Sequence, residues 1–90
     1  MTRAQLERAS ELLASAASQT DDGGSSDRLA DLAAQLESLS EGNRGPDHGR
    51  LARFQAALDD IQPDVDDDTA TTIEEARDEL SDYRETLEGV

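Results

Sequence analysis

Arg44-Gly45-Pro46-Asp47-His48-Gly49-Arg50-Leu51-Ala52-Arg53-Phe54 is where this 90-residue chain departs from its own composition. The stretch sets three arginines against one aspartate, and it holds the chain's only histidine, inside a sequence whose formal charge is −14. Free N–H groups at a helix start, guanidinium forks and an imidazole can together hold a carboxylate, a phosphate or an acidic protein surface. Arg44, Asp47, His48, Arg50 and Arg53 are therefore the candidate partner- or anion-binding residues. Arg50 and Arg53 fall in the opening turns of a helix, where the macrodipole disfavours cations. The plainer alternative is that both pair with carboxylates on adjacent helices and that Asp47 is only a cap. Gly49 in a first helical turn costs about 1 kcal/mol relative to alanine, which marks a close helix crossing or a backbone left bare for a ligand.

Catalysis finds no set of groups to work with. His48 alone does not make an acid–base pair, because Asp47 beside it in sequence points elsewhere on a helix. No Ser–His–Asp or Cys–His arrangement is visible. The expectation is a non-enzyme without catalytic residues or cofactor.

A second constellation is Asp64-Val65-Asp66-Asp67-Asp68-Thr69-Ala70-Thr71-Thr72-Ile73-Glu74-Glu75. Counted from Asp64, its carboxylates fall at the first, third, fifth and twelfth places of a calcium loop. The sixth place, which needs glycine for a sharp turn, is the β-branched Thr69. The segment reads instead as an acidic loop feeding a helix N-terminus, where negative charge is favourable, and no specific metal site is expected. In the tail, Tyr83 falls on a core stripe with its hydroxyl at the edge, and Gly89 marks a helix stop before Val90.

Four segments with apolar residues at helical spacing must position these groups. The first, 3–19, carries Leu6, Ala9, Leu13 and Ala16, with Thr2 and Gln5 as a capping box. A flexible loop over 20–26 follows. The second, 28–41, starts after Asp27 as N-cap and carries Leu29, Leu32, Leu36 and Leu39. Gly42 ends it as a left-handed stop. The third, 48–61, is capped by Asp47 and carries Leu51, Phe54, Leu58 and Ile61. Pro63 closes it and biases Gln62 away from helix. The fourth, 70–88, is capped by Thr71 with Glu74, or by Thr69 or Thr72, and carries Ile73, Ala76, Leu80, Tyr83 and Leu87. Short connections favour antiparallel neighbours, so the reading is all-α: a single domain over 1–90 folded as an antiparallel up-down four-helix bundle. Four stripes of about four residues make a thin core for this length. A homodimer burying further leucine and alanine surface would complete it.

The charge comes from 13 aspartates and 9 glutamates against 8 arginines, with no lysine and no cysteine. Disulfides and thiolate metal sites are thereby excluded. The repulsion destabilises a compact state in dilute buffer and fades at molar salt, where the Debye length is about 3 Å. This composition resembles that of proteins from salt-in halophilic archaea. Direct contact with nucleic acid is disfavoured by the charge, and a membrane surface by the acidic polar faces. No apolar stretch approaches the ~18 residues of a membrane span.

The block Gly45-Pro46-Asp47-His48-Gly49-Arg50-Leu51-Ala52-Arg53, with the ending Tyr83-Arg84-Glu85-Thr86-Leu87-Glu88-Gly89-Val90, resembles a family of small acidic haloarchaeal proteins of unknown function. That resemblance implies lineage and fold but carries no activity to transfer. The functional expectation is a non-enzymatic helical protein-interaction module of a halophilic cytoplasm, its partner unidentified or a second copy. The alternative is a small anion or metabolite sensor using the helix N-terminus at Asp47–Arg53.

Overall fold

The computed structural model describes residues 3–42 and 44–87. They form α1 (Ala4–Gln19), α2 (Gly23–Glu41), α3 (His48–Ile61), a 3-10 turn (Gln62–Asp64) and α4 (Asp67–Thr86), with no strand among them. Polar contacts fix the helix directions. The start of α1 meets the end of α2, where Arg3 N–H donates to Ser40 O at 3.2 Å. The end of α1 meets the start of α4, where Thr72 Oγ1 donates to Gln19 Oε1 at 3.0 Å. Arg28 near the start of α2 pairs with Asp60 near the end of α3 at 3.0 Å. Gln62 Nε2, just past α3, donates to Ala70 O in the first turns of α4 at 3.2 Å. Each helix therefore runs antiparallel to the next, and α4 returns beside α1. The result is an up-down-up-down helical bundle.

The core is a single buried cluster. Leu6, Ala9, Leu13 and Ala16 of α1 are fully buried, as are Leu51, Leu58 and Ile61 of α3 and Ile73, Ala76 and Leu80 of α4. Phe54 and Tyr83 are buried with them. On α2 the buried row is Leu29, Ala33, Leu36 and Ser40, while Leu32 and Leu39 are only partly covered. The expected row through Leu32 and Leu39 is thus rotated to one side. The alanines and the serine face inward because α1 and α2 pack closely, and only small side chains fit between their backbones.

Several helix ends differ from the sequence reading. α2 starts at Gly23 rather than at 28, because Asp22, not Asp27, is its cap: the carboxylate accepts from Ser25 N–H at 3.0 Å and from Ser25 Oγ at 2.6 Å. The glycine-serine stretch expected as loop is the first turn of this helix. α4 starts at Asp67 rather than at 70, since Asp66 accepts from Thr69 N–H at 3.3 Å and Thr69 Oγ1 at 2.5 Å. Thr71 and Thr72 do not cap; the Thr71 hydroxyl donates back to Asp67 O, and the Thr72 hydroxyl is shared between Gln19 Oε1 and Asp68 O. Gly42 is extended (φ −76°, ψ 168°), not left-handed. Gln62 is helical, its N–H bonded to Leu58 O, so Pro63 tightens the chain into a 3-10 turn instead of breaking it outright. Arg3 occupies the cap position of α1 without a side-chain capping bond. Thr2, Gly89 and Val90 lie outside the described residues, as does the proposed stop at the end of the fourth segment.

Candidate functional site

Asp47 opens α3 as expected. Its carboxylate accepts from Arg50 N–H at 2.8 Å, which satisfies one of the free donors of the first turn. Pro46 before it is buried, and Gly45 lies against the Tyr83 hydroxyl and Arg3 Nε. Arg3 in turn donates through Nη1 to Leu39 O at 3.1 Å and Gly42 O at 2.8 Å. A guanidinium thus closes the C-terminal end of α2, where carbonyls are unsatisfied and the dipole is negative. The sequence reading missed this role, which only the antiparallel pairing of α1 and α2 makes visible.

His48 is half-buried at the first position of α3. Its Nδ1 accepts from Arg84 Nε at 3.1 Å, so the imidazole faces α4. Arg84 was not among the sequence candidates. Its position in the last turn of α4 suits a cation at a helix C-terminus.

Arg50 and Arg53 lie on the other side of α3. The Arg50 guanidinium stands 6.0 Å from the Phe54 ring centroid, the outer limit of a cation–π contact. Both arginines border a groove of about 180 Å³ between α2 and α3, lined also by Leu32, Gln35 and Phe54. The plainer alternative, pairing with carboxylates on neighbouring helices, is not what is found. The ion pairs among the described residues join Arg8 to Glu79, Arg28 to Asp60 and Arg77 to Asp59. Among the same residues, no carboxylate lies within 4.0 Å of the Arg44, Arg50 or Arg53 guanidinium. Arg44 is exposed in the linker and does not line the groove.

The five sequence candidates therefore separate into four places, with Asp47 at the cap of α3. Arg50 and Arg53 share the α2–α3 groove, His48 is turned toward Arg84, and Arg44 stands apart in the linker. They do not converge on one concave pocket. Asp47 adds a carboxylate where an anion would have to sit.

The acidic loop behaves as a helix start. Asp67 and Asp68 fall in the first turn of α4, and the Thr69 hydroxyl and N–H hold the Asp66 carboxyl below the ordinary aspartate range. The Ser25 hydroxyl and N–H do the same for Asp22. Among the described residues no group of three or more His, Asp or Glu side chains is arranged to hold a metal ion. Among the described residues no helix is long and apolar enough to cross a membrane.

Nothing among curated proteins matches the chain, and no solved structure matches it. A family model does. Described as a family of unknown function (DUF7553), it matches residues 1–86. That span contains all four helices and every residue of the α2–α3 groove, and the chain belongs to this family.

Proposed function

We propose that this protein is a non-enzymatic helical interaction module of a high-salt cytoplasm, and that it engages an acidic partner surface through the Arg50–Arg53 edge of α3. One observation carries the reading. In a chain with 22 carboxylates, two arginines one turn apart hold none of them among the described residues. They border a groove floored by Leu32 and Phe54. Cations with no carboxylate beside them among the described residues, next to partly exposed apolar surface, suit a partner that brings carboxylates around an apolar anchor. The anion-sensor alternative has less support, because His48 faces away from the two arginines and Asp47 puts negative charge at the helix start.

The charge supports the high-salt setting. Repulsion among so many carboxylates opposes compaction in dilute buffer and is screened at molar salt. The test is affinity capture from lysate in molar potassium chloride, comparing wild type with Arg50→Glu/Arg53→Glu. Loss of the captured partners from a double mutant of native helicity supports the reading. An unchanged set removes this edge from consideration.

A further inference from the structure

We infer that the acidic surface met by Arg50 and Arg53 is the α1–α2 groove of a second copy of this chain. The inference rests on the reading of the α3 edge as a contact surface and names its partner.

A groove of about 880 Å³ runs along α1 and α2. Small side chains line it throughout, with Ser10, Ala33 and Ser40 buried at its floor and Ala14, Ala30 and Ala34 exposed along it. Glu7 and Glu11 edge it on α1, Glu37 and Glu41 on α2. All four glutamates are exposed, and none forms an ion pair among the described residues. A floor without large side chains admits another helix to short range, provided that helix is also smooth.

The outward edge of α3 meets both requirements. Gly49, Ala52 and Ala56 recur at three- and four-residue spacing and are exposed, with exposed Arg50 and Arg53 beside them. The two arginines are about 4.5 Å apart along the helix axis, and each glutamate pair is about 6 Å apart along its own, a difference that arginine side chains span. This edge is cationic and the groove is anionic, so they are complementary. Two grooves facing each other would instead oppose eight carboxylates.

Gly49 supplies an independent argument. Its backbone has no positive φ, and a Cβ there would meet only Asp47 Oδ1, at an ordinary 3.5 Å. Nothing among the described residues calls for glycine at this helical position, where alanine is favoured. A bare backbone is of use where another helix crosses it.

Because the two surfaces differ, the contact is heterologous, and copies add head to tail into a ring or an open chain. Sedimentation equilibrium of the full chain, in moderate and in molar potassium chloride, tests this with two charge-reversed variants. Arg50→Glu/Arg53→Glu keeps the groove, and Glu11→Arg/Glu37→Arg keeps α3. Wild type is expected to associate with concentration and each variant to be monomeric. Their equimolar mixture should associate again, since the unchanged edge of one variant meets the unchanged groove of the other and the two reversed surfaces are once more opposite in charge. Gly49→Ala should raise the dissociation constant about tenfold or more by overpacking the crossing.

A wild type that stays monomeric, or folded variants whose mixture stays monomeric, overturns the inference. If wild type is monomeric yet Arg50→Glu/Arg53→Glu loses lysate partners, the α3 edge stands and the second copy falls. Self-association indifferent to both reversals, with lysate partners unchanged, overturns both.

Discussion

A methyl group added at Gly45 would overlap the Tyr83 hydroxyl and Arg3 Nε, whereas at Gly49 it meets open space and one carboxylate oxygen. Gly45→Ala should therefore cost about 1–3 kcal/mol as the linker is pushed off Tyr83. Gly49→Ala should gain up to about 1 kcal/mol in the monomer from helix propensity. Urea unfolding at fixed potassium chloride ranks the two, and the reverse order would contradict the packing of the linker against α4. The caps give a pH dependence of definite sign. Hydrogen bonds hold the Asp22 and Asp66 carboxyls below the ordinary value of 3.8, so the unfolded chain binds protons there first. Their contribution is complete above about 3.8 and is lost as pH falls through the lower folded values. Asp22→Asn/Asp66→Asn keeps capping side chains but removes this titration, and should flatten the acid limb of Tm against pH. Asp47 was legible as a cap because Gly45-Pro46 ends what precedes it. Asp22 and Asp66 were not, because Gly23-Gly24 reads as a turn and the aspartate run offers several equivalent caps.

The helices show where hydrophobic periodicity stops being informative. For α1, α3 and α4 the apolar row in the sequence is the buried row, apart from Leu87, which is only partly covered, since each offers one stripe of large or small apolar residues. For α2, the rows 29-32-36-39 and 29-33-36-40 fit a 3.6-residue period equally well, and leucine content favours the first. The structure takes the second, because α1 lies close and its alanines leave room only for Ala33 and Ser40. The consequence is functional: Leu32 moves to the rim of the core and lines the groove beside Arg50 and Arg53. The candidate site was therefore readable in its charges but not in its apolar floor. Leu36→Ala should cost about 2–5 kcal/mol, and Leu32→Ala well under half of that, because Leu32 is only partly buried. Ala9→Leu should cost about 1–3 kcal/mol by forcing packed helices apart. Denaturant midpoints at one salt concentration check all three, and a Leu32→Ala loss matching Leu36→Ala would restore the leucine row as the core.

Along its 40 Å length the molecule is unevenly charged. Antiparallel packing gathers the α1–α2 and α3–α4 connections at one end, with Asp21, Asp22, Asp64, Asp66, Asp67 and Asp68. The opposite end collects Arg3, Arg44, His48, Arg50 and Arg84 among its glutamates. Repulsion that opposes folding is thus concentrated at the aspartate end, and salt should act mainly there. Tm should climb as potassium chloride rises and flatten near molar concentration. By then the Debye length of about 3 Å is shorter than the ~5–6 Å between neighbouring side chains on a helix. Location can be tested separately from total charge. Asp21 and Asp64 are exposed, and their side chains bond to nothing among the described residues. Asp21→Asn/Asp64→Asn should raise Tm by a few degrees in dilute buffer and leave it nearly unchanged at molar salt. Asp82→Asn/Glu85→Gln removes the same charge at the arginine end and should gain less. Equal gains would mean that the chain responds to its net charge alone, and the opposed ends would then have no bearing on how it folds.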